Sequence, residues 1–133
     1  MPKLNVPLLI VILFVSACGT PASSTGPVVE SVTPSHGLGG DYRPLEPAEN
    51  FAPEETFYCA VLMRGLQPGV VVSARWLYQG NLVKRTDYVV QQTGNGYVGF
   101  ELANDSPPWP AGQYSVEILV DHSRAGTAGF TVP

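Results

Sequence analysis

From Thr56 onward, apolar side chains fall on every second residue. Phe57, Cys59, Val61 and Met63 alternate with Tyr58, Ala60, Leu62 and Arg64. Val70, Val72, Ala74, Trp76 and Tyr78 alternate with Val71, Ser73, Arg75 and Leu77. Tyr114, Val116, Ile118 and Val120 do the same, and Ala128, Phe130 and Val132 close the chain. A period of two puts alternate side chains on opposite faces of a strand, whereas a helix needs apolar residues three and four apart. No stretch after residue 18 shows the helical spacing. Turn residues separate the runs: Gln67-Pro68-Gly69, Gln79-Gly80-Asn81, Thr93-Gly94-Asn95-Gly96, the proline-rich loop 103–111, and His122 to Gly126. Strands with one buried and one exposed face, joined by short turns, predict an all-β fold. The expected form is a single antiparallel β-sandwich of about seven strands.

The segment before Thr56 is less regular. Val28 to Thr33 reads as a first strand. Pro34 to Glu55 holds four prolines and three glycines and no period, so it reads as a long loop. A structureless stretch of that length in a small domain is unusual and often functional. It is also acidic, with Asp41, Glu46, Glu49, Glu54 and Glu55 against Arg43 alone.

The N-terminus carries a different signal. Lys3 precedes an apolar run from Val6 to Val15, and the small residues Ser16 and Ala17 lead to Cys18. That run is about ten residues, too short for a spanning helix of about 20. A positive start, an apolar segment and small residues before a cleavage site describe a secretory signal peptide. Val15-Ser16-Ala17-Cys18 resembles the signal of bacterial lipoproteins. The resemblance implies cleavage before Cys18 and lipid on its thiol. It divides the chain into a signal peptide (1–17), a lipidated Cys with a flexible tether (18–27) and a sandwich domain (28–133). It also implies attachment to a membrane through Cys18 and a place in the cell envelope, facing outside the cytoplasm on the outer membrane or cell surface.

Cleavage would leave six basic and eleven acidic side chains, since Lys3 is lost from seven. A net charge near −5 argues against nucleic acid as a partner. With Cys18 lipidated, Cys59 has no partner and no disulfide forms within the chain.

Cys59 lies mid-strand, Trp76 follows 17 residues later on the next strand, and Gly112-Gln113-Tyr114-Ser115-Val116 opens a late strand. These positions resemble the immunoglobulin-like sandwich, including its strand Trp and its tyrosine corner. Val116 stands where disulfide-bearing members carry their second Cys. The segments around Phe51, Phe57, 69–76, 109–114 and 130–132 are similar to Ig-like domains of bacterial lipoproteins. Such domains serve as binding or spacer modules, and the resemblance brings no catalytic residue with it.

Chemistry-bearing clusters are sparse. His36 and His122 are far apart, with no paired spacing that would hold a metal. Asp121, His122 and Ser123 are adjacent on a turn and point apart, unlike a nucleophile and its base. Gly37-Leu38-Gly39-Gly40 lacks the Lys-Ser/Thr of a phosphate loop. The sequence thus predicts a non-enzymatic binding or structural module with no cofactor and no metal. The candidate surface is Tyr42, Arg43 and Phe51 from the 34–55 segment together with Trp109, which stands between Pro108 and Pro110. Protein or glycan is the expected partner class. A second reading is a glycan- or small-ligand-binding lipoprotein that uses the 34–55 loop and Trp109. Against both stands the reading that Trp109 folds back as a lid beside Tyr114.

Overall fold

The computed structural model describes residues 26–133. The expected signal peptide, Cys18 and the expected tether up to residue 25 lie outside the described residues. Eight strands follow in order: β1 (Val28–Leu38), β2 (Pro44–Pro47), β3 (Phe57–Leu66), β4 (Val71–Tyr78), β5 (Asn81–Val89), β6 (Gly94–Leu102), β7 (Gly112–Val120) and β8 (Ser123–Val132). One sheet has the order β2-β1-β3-β6 and the other β5-β4-β7-β8. All neighbours within the sheets are antiparallel. The chain crosses between sheets after β3, β5 and β6, the connectivity of an Ig-like sandwich.

Alternation becomes the core. Phe57, Cys59, Val61 and Met63 face inward from β3, opposite Val72, Ala74 and Trp76 from β4 and Val116 and Ile118 from β7. Trp76 lies across from Val116 in the β4–β7 ladder. The Tyr114 hydroxyl donates to Pro110 O at 2.7 Å, the bond that defines a tyrosine corner. Cys59 is a free, fully buried thiol. Burial pushes it up to about 12, opposed by a backbone hydrogen bond from Thr33. Such a thiol stays protonated at neutral pH and acts as a small apolar side chain.

The 34–55 segment is the main correction. β1 runs past Thr33 to Leu38, and β2 returns alongside it, with Ser35 opposite Pro47 and Leu38 opposite Pro44. The eighth strand is therefore β2. Pro34 is tolerated inside β1 because its carbonyl accepts from Ala48 N–H, on the side where β2 has ended. The ring nitrogen, on that same side, is asked for no ladder bond. The hairpin bends over the outer face of its sheet. Ala60 points outward from β3 yet is fully buried, and Gly99 beside it on β6 carries Tyr42 and Leu38. A Cβ at Gly99 would meet Tyr42 Cδ1 at 2.6 Å and Leu38 Cδ1 at 2.8 Å, so glycine is required for that approach.

The two long sides of the sandwich differ. On one, β1 packs against β8, and an isolated bridge joins Asn50 to Thr131. On the other, β5 and β6 are the sheet edges, and the seam between them is open, without the strand-to-strand packing of β1 on β8.

Candidate functional site

Phe51 is a core residue, which corrects its place on a recognition surface. Its exposure is 1%. Its N–H donates to Thr131 O at 2.9 Å, and Thr131 N–H donates to Glu49 O at 2.8 Å. Its ring meets Phe57 at 5.1 Å and Phe130 at 5.0 Å. An aromatic in an acidic, proline-rich stretch looks exposed in sequence. Here the backbone straps the segment onto β8, and the ring follows it inward.

Trp109 sits at the same pole and is half-buried. Its ring stacks on Phe57 at 4.8 Å with an interplanar angle of 21°. Its Nε1–H donates to Glu55 O at 2.6 Å, and its backbone N–H to Pro53 O at 2.7 Å. Asn104 Nδ2 also donates to Pro53 O, at 2.9 Å. The Glu55 carboxylate accepts from Ala52 N–H at 2.5 Å and meets His36 Nδ1 at 2.7 Å. The tryptophan thus closes the end of the sandwich and pins residues 52–55. Trp109→Ala is expected to lower stability by about 2 kcal/mol, below the figure for a fully buried aromatic. Chemical denaturation measures this. A change within about 0.5 kcal/mol, typical of exposed sites, would contradict the lid role.

Tyr42 and Arg43 lie on the hairpin tip, away from that pole. Gly39 N–H donates to Arg43 O, and Tyr42 N–H donates to Gly39 O. The Arg43 backbone N–H and guanidinium both reach Asp41 Oδ1, at 3.0 and 3.2 Å. The Arg43 backbone N–H, opposed by slight desolvation and aided by the guanidinium, holds the Asp41 carboxyl below its ordinary range. Tyr42 takes a φ of 65° and remains 55% exposed. Its ring rests on the outer face of the sheet at Gly99, whereas Trp109 rests on Phe57, which points inward. The four candidate residues therefore do not share one face.

The structure instead places Tyr42 with two aromatics that the sequence reading left unassigned. A groove of about 380 Å³ wraps the free edge of β6. Tyr42 and Tyr97 line its outer flank, Tyr88 comes from the end of β5 and Val90 from just past it, and Gln91 to Thr93 and the first residues of β6 complete the lining. Tyr88 is 43% exposed. The available sequence signal was the glycine set Gly94, Gly96 and Gly99 on one short strand, which strips side chains from that edge.

On the outer face of the other sheet, Ser73 is fully buried and its Oγ donates to Asp87 Oδ1 at 2.5 Å. That bond, with Arg85 Nε at 3.0 Å, holds the Asp87 carboxyl below its ordinary range. Arg85 also meets His122 Nδ1 at 3.3 Å. The serine hydroxyl faces a carboxylate, and His122 meets Arg85 rather than the serine. Among the described residues, no three His, Cys, Asp or Glu side chains are grouped as a metal ion would require. No helix among them is long and apolar enough to cross a membrane.

No protein-family model matches the chain, and no curated protein sequence matches it. Solved structures do. An immunoglobulin-like protein of Pseudomonas aeruginosa superposes with a TM-score of 0.52 at 10% identity, covering 80% of this chain and 96% of that one. A β-glucosidase of Listeria innocua, in complex with isofagomine, matches with a TM-score of 0.51 at 11% identity. That match covers 80% of this chain and 16% of the glucosidase, so the chain corresponds to a small part of that enzyme. At these identities the likeness establishes the Ig-like fold alone.

Proposed function

We propose that this chain is a lipid-anchored binding module of the cell envelope, held to a membrane through Cys18 and facing outside the cytoplasm. The observation that supports the reading is where the chain enters the sandwich. Gly26 and Pro27 lie against Gly65, at the pole where β1 begins opposite Arg64. A lipid at Cys18 would hold the domain by this pole. The pole of Phe57 and Trp109 lies seven β3 residues away, about 23 Å at strand rise. It would point outward, carrying Glu49, Glu54 and Glu55. An anchored domain that presents its far pole suits capture of a partner near the membrane. The net negative charge favours neither nucleic acid nor anionic lipid as that partner.

Cys18→Ala is expected to abolish incorporation of labelled fatty acid and to move the protein from the membrane to the soluble fraction. Burial of acyl chains, at about 0.8 kcal/mol per CH₂, is the only attachment that the reading invokes. An unmodified Cys18 at the mature N-terminus, found by mass spectrometry, would defeat the anchor.

A further inference from the structure

We infer that the groove at the β6 edge is a binding site for a neutral oligosaccharide. The inference deepens the binding-module reading and rests on it, but it does not depend on the anchor.

The lining chemistry selects the ligand class. Three tyrosines, Tyr42, Tyr88 and Tyr97, contribute to one groove, and no Asp, Glu, Lys, Arg or His lines it. On a chain with eleven acidic and seven basic side chains, such a stretch is distinctive. A phosphate or acidic sugar would call for Arg or Lys, and a basic peptide for carboxylates. What the groove offers beside the rings is amides. Gln91 Nε2 donates to Val89 O at 3.0 Å, so its acceptor Oε1 is left among the described residues. Asn95 Oδ1 accepts from Gly65 N–H at 2.9 Å, which leaves its NH₂ as donor. Gln92 and Thr93 supply both kinds of group. A pyranose ring is matched on both counts. Its axial C–H face is apolar and lies flat on an aromatic ring, and each hydroxyl around its rim both donates and accepts.

The backbone makes the room. Gly96 shares the inward parity of Val98 and Phe100, yet a Cβ there would meet nothing within 4 Å. The cause is the open seam between β5 and β6. At about 380 Å³ the groove lies within the ordinary range of ligand sites, roughly 300–1,000 Å³.

The test uses the chain from Gly19 onward, which contains all eight strands. Cellohexaose, laminarihexaose, xylohexaose, mannohexaose and chitohexaose are titrated in turn by calorimetry and by backbone-amide NMR. At least one is expected to bind with Kd at or below about 1 mM and to shift resonances over Gln91 to Gly99. Tyr88→Ala should weaken that binding by at least about tenfold, while Tyr88→Phe, which keeps the ring, stays within about threefold. Gly96→Val should abolish binding without lowering the melting midpoint, because its Cβ would meet no protein atom within 4 Å and the side chain extends into the groove. The proposal fails if none of the five sugars binds at about 5 mM, above the weakest affinity expected. It fails equally if binding survives Gly96→Val, or if shifts fall outside the groove. Loss of Cys18 lipidation would leave these results unchanged, so the anchor and the groove stand or fall separately.

Discussion

Phe57→Ala is expected to destabilise the domain by about 3–5 kcal/mol, the range for a buried aromatic cut to alanine. Phe57 is wholly buried and is the hub of the aromatic cluster. Its ring meets Phe130 at 4.7 Å, Trp109 at 4.8 Å, Phe51 at 5.1 Å and Tyr114 at 5.2 Å. Those partners come from β8, the 103–111 loop, the 48–56 segment and β7. With Trp76 of β4 at 6.4 Å, Phe57 joins five separate pieces of chain, more than any other ring among the described residues. Edge-to-face and stacked pairs add to the area buried, by about 0.5–1.5 kcal/mol each. Partial collapse of the cavity offsets some of that sum, because Trp109 is only half-buried and can move inward. The result should therefore fall within the stated range and not far above it. Urea unfolding followed by far-UV circular dichroism gives the value. Loss of less than about 1 kcal/mol would mean that the pole is not packed as described.

Trp76→Ala should have an effect of the same size, about 3–5 kcal/mol, with a different companion result. Trp76 is 1% exposed at the centre of β4. Its Nε1 is buried without a hydrogen-bond partner among the described residues. An orphaned buried donor carries a desolvation penalty of about 1–3 kcal/mol. Trp76→Phe removes that donor while keeping most of the ring. It is expected to cost well under half of what alanine costs, so the two substitutions separate ring volume from the polar group. The rings of Phe57 and Trp76 lie 6.4 Å apart. The double variant Phe57→Ala/Trp76→Ala should therefore lose less than the sum of the singles, since both open one shared cavity. A Trp76→Ala loss below about 1 kcal/mol would show that this side chain does not face the core.

What the sequence by itself determined is the β-sandwich and its inner faces. Period-two alternation is a local property of each strand. Phe57, Cys59, Val61, Trp76, Tyr114, Val116 and Phe130 all lie buried where alternation places them. Tyr114 and Val116 hold the corner and the vacant cysteine place because their spacing along one strand is fixed by strand rise alone. Tertiary structure decided everything that depends on which segments meet. β1 and β2 pair despite Pro34, Pro44 and Pro47, since a proline in a strand needs only a side without a ladder bond, and that side is set by the neighbouring strand. Phe51 is buried because backbone bonds to Thr131 carry it there, across 80 residues of sequence. Trp109 caps Phe57 by contacts of the same long-range kind. The groove could not be read from sequence for the same reason. Tyr42, Tyr88 and Tyr97 belong to three separate strands and turns. They meet only because glycine on β6 admits the hairpin and because the β5–β6 seam stays open.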